Sequence, residues 1–533
     1  MAQRPAGWEK GGQMKPDAKV ILWVDDEIDH LQSHMMFLRE RGYAVTGATS
    51  GDEAIELIMK NPYDLVLLDE MMTGRDGLST LEEIKEIAPN LPVVMITKSE
   101  EEDLMEQAIG KKIDDYLTKP VNPSQVLSVA KRLLEAGKIR TEHLSRQYAA
   151  DIGRLQQELF GPVDWPGWIS AHLKLSQWEL DINRFRNLGL EGIHREHQRE
   201  WNAEFGKYIE KNYRDWVNDA EGRPPLSVDV VGRWIAPHLK AGRRVFFFVI
   251  DCMTLDQWLH IEPEVAQYFN VSRDYHFSIL PSATPFSRNA IFSGLFPADI
   301  KRLYPELWEV GDKDEFSRNR LERQLMDEQL ARLGVRLKPE AKYVKVLDQA
   351  EGERLAKKIA GYRSTPLLSV VYNFVDNLTH GRSESELLRE LAPDQGAFRD
   401  LMKTWFTNSS WFKVLRYLSS QDCVVVVTSD HGSVLGSRGT IARARKDSST
   451  NLRYKYGDNL NGEPKESMLI RDPESYRLPS FTMSTTYLIA KEDFFFVYPT
   501  QFNEYQRRFT GTFQHGGISL PEMVLPVATL EPK

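Results

Sequence analysis

Two cysteines in 533 residues exclude a disulfide framework. Both, Cys252 and Cys423, sit in or beside apolar runs and read as buried thiols. No apolar run is long enough to span a bilayer. The longest, VFFFVI and VVVVT, are strand-sized. No signal-peptide pattern is present. An excess of basic charge is missing as well: 68 Lys and Arg face 77 Asp and Glu, giving a net charge of −9. That balance disfavours nucleic-acid binding through a basic patch, and no helix-turn-helix or wing pattern stands out. Neither duplex DNA nor a membrane is therefore an expected partner, and a cytoplasmic location is expected.

What is present is ordinary globular material, 41% hydrophobic and 27% charged, with twelve tryptophans to build cores. The length suggests about three or four domains. The expected division is an unfolded leader over 1–16, an α/β domain over 17–135, a helical bundle or connector over 136–240 and a large α/β domain over 241–533.

In the first domain, strand signals (KVILWVD, YAVTGAT, DLVLLDE, LPVVMIT, DDYLTKP) alternate with amphipathic helices such as GDEAIELIMK. That order means a doubly wound parallel sheet, with ligands at the carboxyl ends of its strands. Asp25, Asp26 and Asp69 gather there, with Thr97 and Lys119. Three aspartates in one cleft resist ionising together, and Mg²⁺ relieves that repulsion. Lys119 adds a cation able to grip a phosphoryl group. The segment resembles the receiver (CheY-like) domain of bacterial response regulators. The resemblance implies Asp69 as phosphoacceptor, Asp25 and Asp26 as Mg²⁺ site residues, Thr97 and Lys119 as phosphoryl contacts and Tyr116 as the aromatic switch.

Helical periodicity runs almost unbroken over 123–160, as if the last helix of the first domain continued as a connector. A tryptophan-rich helical stretch follows to about 238, broken at Gly161-Pro162 and Pro166-Gly167. His194 and His197 in HREH read as a solvated helix face rather than a metal pair.

From Arg243 the strand–helix alternation returns, and five strand-end turns carry the chemistry. VFFFVID ends in Asp251. FSILPSATPFSRNAIFSG holds Thr284. SVVYNFVDNLTH supplies Asp376 and His380. VVVVTSDHGS supplies Asp430 and His431. FQHGG places His515 before the last strand. Imidazole and carboxylate donors without thiolates suit zinc that is more than structural. Seven ligands are too many for one tetrahedral ion. Asp376, His380 and His515 suit one, while Asp251, Asp430 and His431 with Thr284 suit another. Two ions about 3.5–4 Å apart can clamp a phosphoryl displacement, and zinc beside Thr284 would lower its hydroxyl pKa. On this reading Gly432 permits the tight turn after Asp430 and His431.

The segment resembles the alkaline phosphatase superfamily, in the DNLTH spacing, the SDHG element, the late HGG and the ten-residue step from Thr284 to Gly294. The resemblance implies Thr284 as nucleophile, with Ser282 the rival, and metal binding by the other six residues. Ser287 and Arg288 stand where such enzymes vary. Arg288 either binds phosphate oxygens or pairs with an acidic neighbour. Residues 433–473 form an expected lid, rich in Arg438, Arg443, Arg445, Lys446, Arg453 and Lys455, that gathers an oligonucleotide. Arg453 and Lys455 are candidate substrate contacts, and Tyr454 and Tyr456 candidates for stacking on bases.

A receiver joined through helices to such a domain resembles the PorX-type response regulators, whose output is a PglZ domain. That resemblance implies a sensor histidine kinase partner, phosphorylation-promoted homodimerisation, two Zn²⁺ and one Mg²⁺. It also implies phosphodiesterase activity on cyclic or linear oligonucleotides and a role in type IX secretion. The rival reading is a zinc-binding adaptor without turnover that docks a sigma factor or secretion component.

Overall fold

Short strands buried on both faces must alternate with helices that cover them, and both α/β regions obey this. The computed structural model describes residues 19–89, 91–98, 113–185, 189–306, 319–443, 449, 451–499 and 502–533. The expected leader lies outside the described residues, as do Arg445 and Lys446. The chain divides into two compact units, 1–150 and 151–533. Among the described residues no helix is long and apolar enough to cross a membrane, and Cys252 and Cys423 are free, buried thiols.

In the first unit, β1 (Val20–Val24), β2 (Ala44–Ala48), β3 (Leu65–Asp69), β4 (Val93–Thr97) and β5 (Asp115–Thr118) form a parallel sheet in the order β2-β1-β3-β4-β5. Alternate side chains of β1 feed opposite cores: Ile21 and Trp23 on one face, Leu22 and Val24 on the other. Polar N-caps start the covering helices. Ser50 Oγ accepts from Glu53 N and Asp76 Oδ1 from Ser79 N, satisfying first-turn amides. The helix after β5, Pro123–Leu159, is 37 residues long, as the unbroken periodicity predicts, and its last nine residues, 151–159, belong to the second unit.

The helical linker expected over 136–240 is present as the end of the helix Pro123–Leu159 and the helices Trp165–Arg184 and Glu191–Asn218. The last two fall in the same compact unit as the C-terminal domain, and their aromatic content is the cause. Trp168 packs edge-on against Trp201 and Phe205, and Phe205 and Trp216 reach Phe277 of the C-terminal sheet at centroid distances of 6.2 and 5.7 Å. Such faces remove too much apolar surface from water to stay undocked. His194, buried against Glu179 at 3.3 Å, is part of this packing.

The C-terminal sheet contains β6 (Val245–Ile250), β7 (Phe269–Phe277), β8 (Lys342–Val346), β9 (Leu367–Tyr372), β10 (Val424–Thr428) and β19 (Val524–Pro532), in the order β7-β19-β10-β6-β9-β8. Strands β10, β6, β9 and β8 are parallel, and β19 runs antiparallel to both β10 and β7. The start of β19 therefore lies at the same edge as the ends of β6, β7, β9 and β10. Phe246, Phe248 and Ile250 enter the large core with Trp258, Trp411 and Val427, while Phe247 on the opposite face meets Phe292. Between β10 and β19 the chain builds short strands β11 (Val434–Gly436), β12 (Arg438–Arg443), β13 (Tyr454–Asp458), β14 (Asn461–Gly462), β15 (Ser467–Ile470), β16 (Thr485–Ala490), β17 (Phe494–Val497) and β18 (Thr512–Gln514). Much of the expected lid is thus ordered sheet.

Candidate metal centre and phosphoacceptor site

At the first unit's strand ends, Asp25, Asp26 and Asp69 bring carboxylate oxygens within 4.8 Å of one another. Asp25 and Asp69 are buried and Asp26 is exposed. Lys119 Nζ lies 3.0 Å from both Asp25 Oδ2 and Asp69 Oδ2. Burial pushes the Asp69 carboxyl up, and the nearby Asp25 charge adds to this while the Lys119 hydrogen bond opposes it. Thr97 ends β4 at the same edge and accepts from Lys119 N through its carbonyl at 2.7 Å. Tyr116 is 40% exposed.

In the second unit, the six acidic and imidazole ligands expected from sequence come together in two sets, Asp376–His380–His515 and Asp251–Asp430–His431. The rings of His431 and His515 stack at 4.3 Å, joining the sets. Asp376 Oδ1 lies 3.3 Å from His380 Nε2 and 3.8 Å from His515 Nε2. Thr284 begins the helix Thr284–Ser293, whose residues from Pro285 onward are all buried. Its Oγ1 lies 2.9 Å from His431 Nε2 and 3.4 Å from Asp251 Oδ1. Gly294 ends that helix in the left-handed conformation at φ +63°, which explains the ten-residue spacing. Ser282 is less suited as a nucleophile, because its hydroxyl donates to Gly517 O at 2.7 Å. Ser287 donates to Ala283 O within its own helix at 2.9 Å.

The donor set fits divalent ions. Burial, reinforced by the Asp430 charge, pushes the Asp251 carboxyl up to about 7. Burial pushes Asp430 up to about 6, with Arg288 opposing. Burial would also raise Asp376, but His380 and His515 outweigh it and bring it down to about 2. Burial and the neighbouring His431 hold His515 well below its ordinary value, so its imidazole is neutral. Among the described residues, Asp430 Oδ2 and His515 Nδ1 are buried and meet no hydrogen-bond partner. Buried polar atoms of this kind call for a ligand. His431 Nδ1 donates to Gly432 O at 3.1 Å, which leaves Nε2 with its lone pair toward the cluster.

Several supporting residues carry no sequence signal. Ser429 Oγ donates to Ile250 O at 2.8 Å and accepts from Met253 N at 3.0 Å, tying the turns after β10 and β6 together. Ser278 Oγ donates to Asp430 O at 2.8 Å. Tyr213, on the helix Glu191–Asn218, accepts from Leu280 N at 2.7 Å and so steadies the approach to Thr284.

Two expectations need correction. Gly432 is not required by its own turn, since its φ is not positive. A Cβ there would lie 1.9 Å from Pro521 O, so close approach of two backbones excludes a side chain. Arg453 and Lys455 are not lid residues. Arg453 is fully buried in an ion pair with Glu522 and donates to the carbonyls of Lys491, Glu492 and Phe494. Lys455 Nζ donates to Ser449 O and Asn451 O, each at 3.0 Å, and Tyr454 and Tyr456 are buried. Arg288 resolves toward its acidic alternative, pairing with Asp251 and Glu322 at 2% exposure.

Residues 230–530 match the family of BREX system PglZ alkaline phosphatase-like domains, more than half of the chain. The chain belongs to the PglZ family. Upstream of the PglZ match, residues 21–131 match the response regulator receiver domain and residues 138–217 the PorX response regulator linker domain. The three follow in the order of a PorX-type response regulator, with an alkaline phosphatase-like domain after the linker. The receiver part is 40% identical over 114 residues to the transcriptional regulatory protein ResD of Bacillus subtilis, covering 21% of this PglZ-family chain and 47% of ResD. It is 36% identical over 150 residues to BaeR of Escherichia coli, covering 27% of the chain and 61% of BaeR. The chain thus spans about half to three-fifths of these relatives. The receiver domain of NtrX from Brucella abortus is similar at 36% identity, covering 22% of this chain and 98% of that one, with a TM-score of 0.21.

Proposed function

We propose that phosphorylation of Asp69 by a sensor histidine kinase controls a two-zinc phosphodiesterase site whose nucleophile is Thr284. The observation that carries this reading is the place of Thr284 Oγ1, 2.9 Å from His431 Nε2 at the head of a buried helix. Asp251, Asp430 and His431 would hold one ion beside Thr284, and Asp376, His380 and His515 the other. Bound zinc would supply Lewis acidity and lower the pKa of the threonine hydroxyl. Thr284 Oγ1 attacks phosphorus, one ester oxygen leaves as the alcohol with the threonine proton, and water then cleaves the phosphodiester formed with Thr284 to release a phosphomonoester. The buried helix fixes where the attacking oxygen stands, which is the orientation such chemistry needs. His380 is 55% exposed, which leaves that side open to a long substrate. Resemblance to PorX-type regulators supports cyclic or linear oligonucleotides as substrate. It also supports a cytoplasmic location, control of type IX secretion and a sigma factor or secretion component as partner.

In the receiver, Asp25, Asp26 and Asp69 would hold Mg²⁺, which would neutralise charge on the arriving phosphoryl group. Lys119 then exchanges its carboxylate contact for a phosphoryl oxygen, Thr97 donates to another, and Tyr116 turns inward. The repacked face pairs with a second receiver, a shift of population between two states. Hydrolysis of model diesters and cyclic dinucleotides by the zinc-loaded full chain tests the reading. Activity lost in Thr284→Ala supports it, and undiminished activity overturns the nucleophile. Sedimentation with an acyl phosphate and Mg²⁺ tests dimerisation, and a chain that stays monomeric counts against it.

A further inference from the structure

Arg288 belongs to the largest fully buried side chains of the molecule. Its guanidinium bridges two carboxylates. Nη1 donates to Asp251 Oδ2, and Nε donates to Glu322 Oε1 at 2.6 Å. Glu322, 1% exposed, also accepts from Asn319 Nδ2 at 2.9 Å and from the Tyr343 hydroxyl. Asp251 Oδ2 accepts a second bond, from Asn373 Nδ2 at 2.7 Å. An acceptor oxygen with two lone pairs is thereby filled. Only Oδ1 is left to face Thr284 at 3.4 Å and His431 at 3.5 Å.

We propose that Arg288, anchored by Glu322, is a positioning residue that limits Asp251 to one metal-facing oxygen and so gives the Thr284-side cluster its preference for zinc over manganese. The proposal rests on the two-ion reading of the site. One oxygen from Asp251, one from Asp430, the His431 imidazole and the Thr284 oxygen make four donors, the number zinc takes. Manganese favours six oxygen-rich ligands and gains from a carboxylate that offers both oxygens. Arg288 and Glu322 together add no net charge, so the pair acts through geometry. Partners that orient a metal ligand change metal affinity by about 10- to 100-fold.

The test uses the full chain and the double variant Arg288→Gln with Glu322→Gln, which removes opposite charges together. Each protein is dialysed against equimolar zinc and manganese with excess magnesium to fill the receiver site, its zinc and manganese content is measured by mass spectrometry, and its fold is checked by near-ultraviolet circular dichroism. The expected result is two zinc ions in the parent chain. In the folded variant, one position keeps zinc and the other shows a zinc-to-manganese ratio at least about 10-fold lower. Asn373→Ala removes only the second donor to Oδ2 and should shift the ratio the same way by less. It decides the matter if the double variant does not fold. Two ions bound at an unchanged ratio overturn this proposal and leave the two-ion reading standing. A parent chain that binds neither metal overturns both.

Discussion

Two clusters of three aspartates sit at sheet edges in this chain, and they balance their charge differently. In the receiver, the balancing cation is Lys119, 3.0 Å from two of the carboxylates, on a flexible stem at the mouth of the cleft. One aspartate, Asp26, is exposed. In the PglZ domain, the cation is Arg288, set behind Asp251 and locked by Glu322, while three histidines and a threonine complete the front. A lysine can leave one oxygen for another as a phosphoryl group arrives. A buried arginine with two carboxylate partners cannot. The first arrangement suits a switch, and the second suits a fixed centre.

The sharpest break between the two comes from their proposed reacting oxygens. Thr284→Ala should lower diester hydrolysis by at least about 10³-fold, with phosphoryl incorporation at Asp69 unchanged. Asp69→Asn should abolish phosphoryl incorporation from an acyl phosphate, read by mass spectrometry, with zinc content unchanged. If either change alters both readouts, the two centres are not independent. A smaller effect concerns the second buried pair. Arg453→Met leaves Glu522 buried and unpaired, and it should lower stability by about 3–5 kcal/mol in denaturant titration. The variant with Glu522→Gln added should recover part of that loss.

The smallest effect is a pH dependence of the second unit. Burial brings neutral His172 down to about 4 from 6.5. Glu179 is brought down to about 2 from 4.5, because His194 and Arg399 outweigh its burial. Both groups bind fewer protons folded than unfolded, so both stabilise at high pH. The His172 contribution should fade as pH falls from about 6.5 to 4, and that of Glu179 from about 4.5 to 2, each on the order of 3 kcal/mol. Thermal melting across this range checks it, and His172→Gln should flatten the upper part of the curve.

The strand-end aspartates, with His380 and His431, were legible because each follows an apolar run, and one rule sends the ends of such strands to one edge, while His515 was found by its place before the last strand. Arg288, Glu322 and Asn373 were not legible as a set. They stand 34 to 122 positions from their partners, and nothing local marks the contact. The basic stretch around Arg453 misled for a related reason. Composition cannot tell a solvated arginine from one whose carboxylate, Glu522, lies 69 positions away. The middle helices were legible as helices, but their docking on Phe277 was not, because an apolar face reads the same whether it meets another helix or a sheet. Gly432 was singled out for the wrong cause, since the backbone that crowds it comes from Pro521.

The hydroxyl of Tyr213 holding Leu280 N has a practical consequence. Anyone trimming this protein to its PglZ domain would naturally cut near residue 241, where the strand–helix pattern resumes. Such a fragment would lose the prop beneath the loop that presents Thr284 and would expose the apolar surface around Phe277. A useful fragment has to keep the tryptophan-rich helices, because they are as much the floor of this domain as its own sheet.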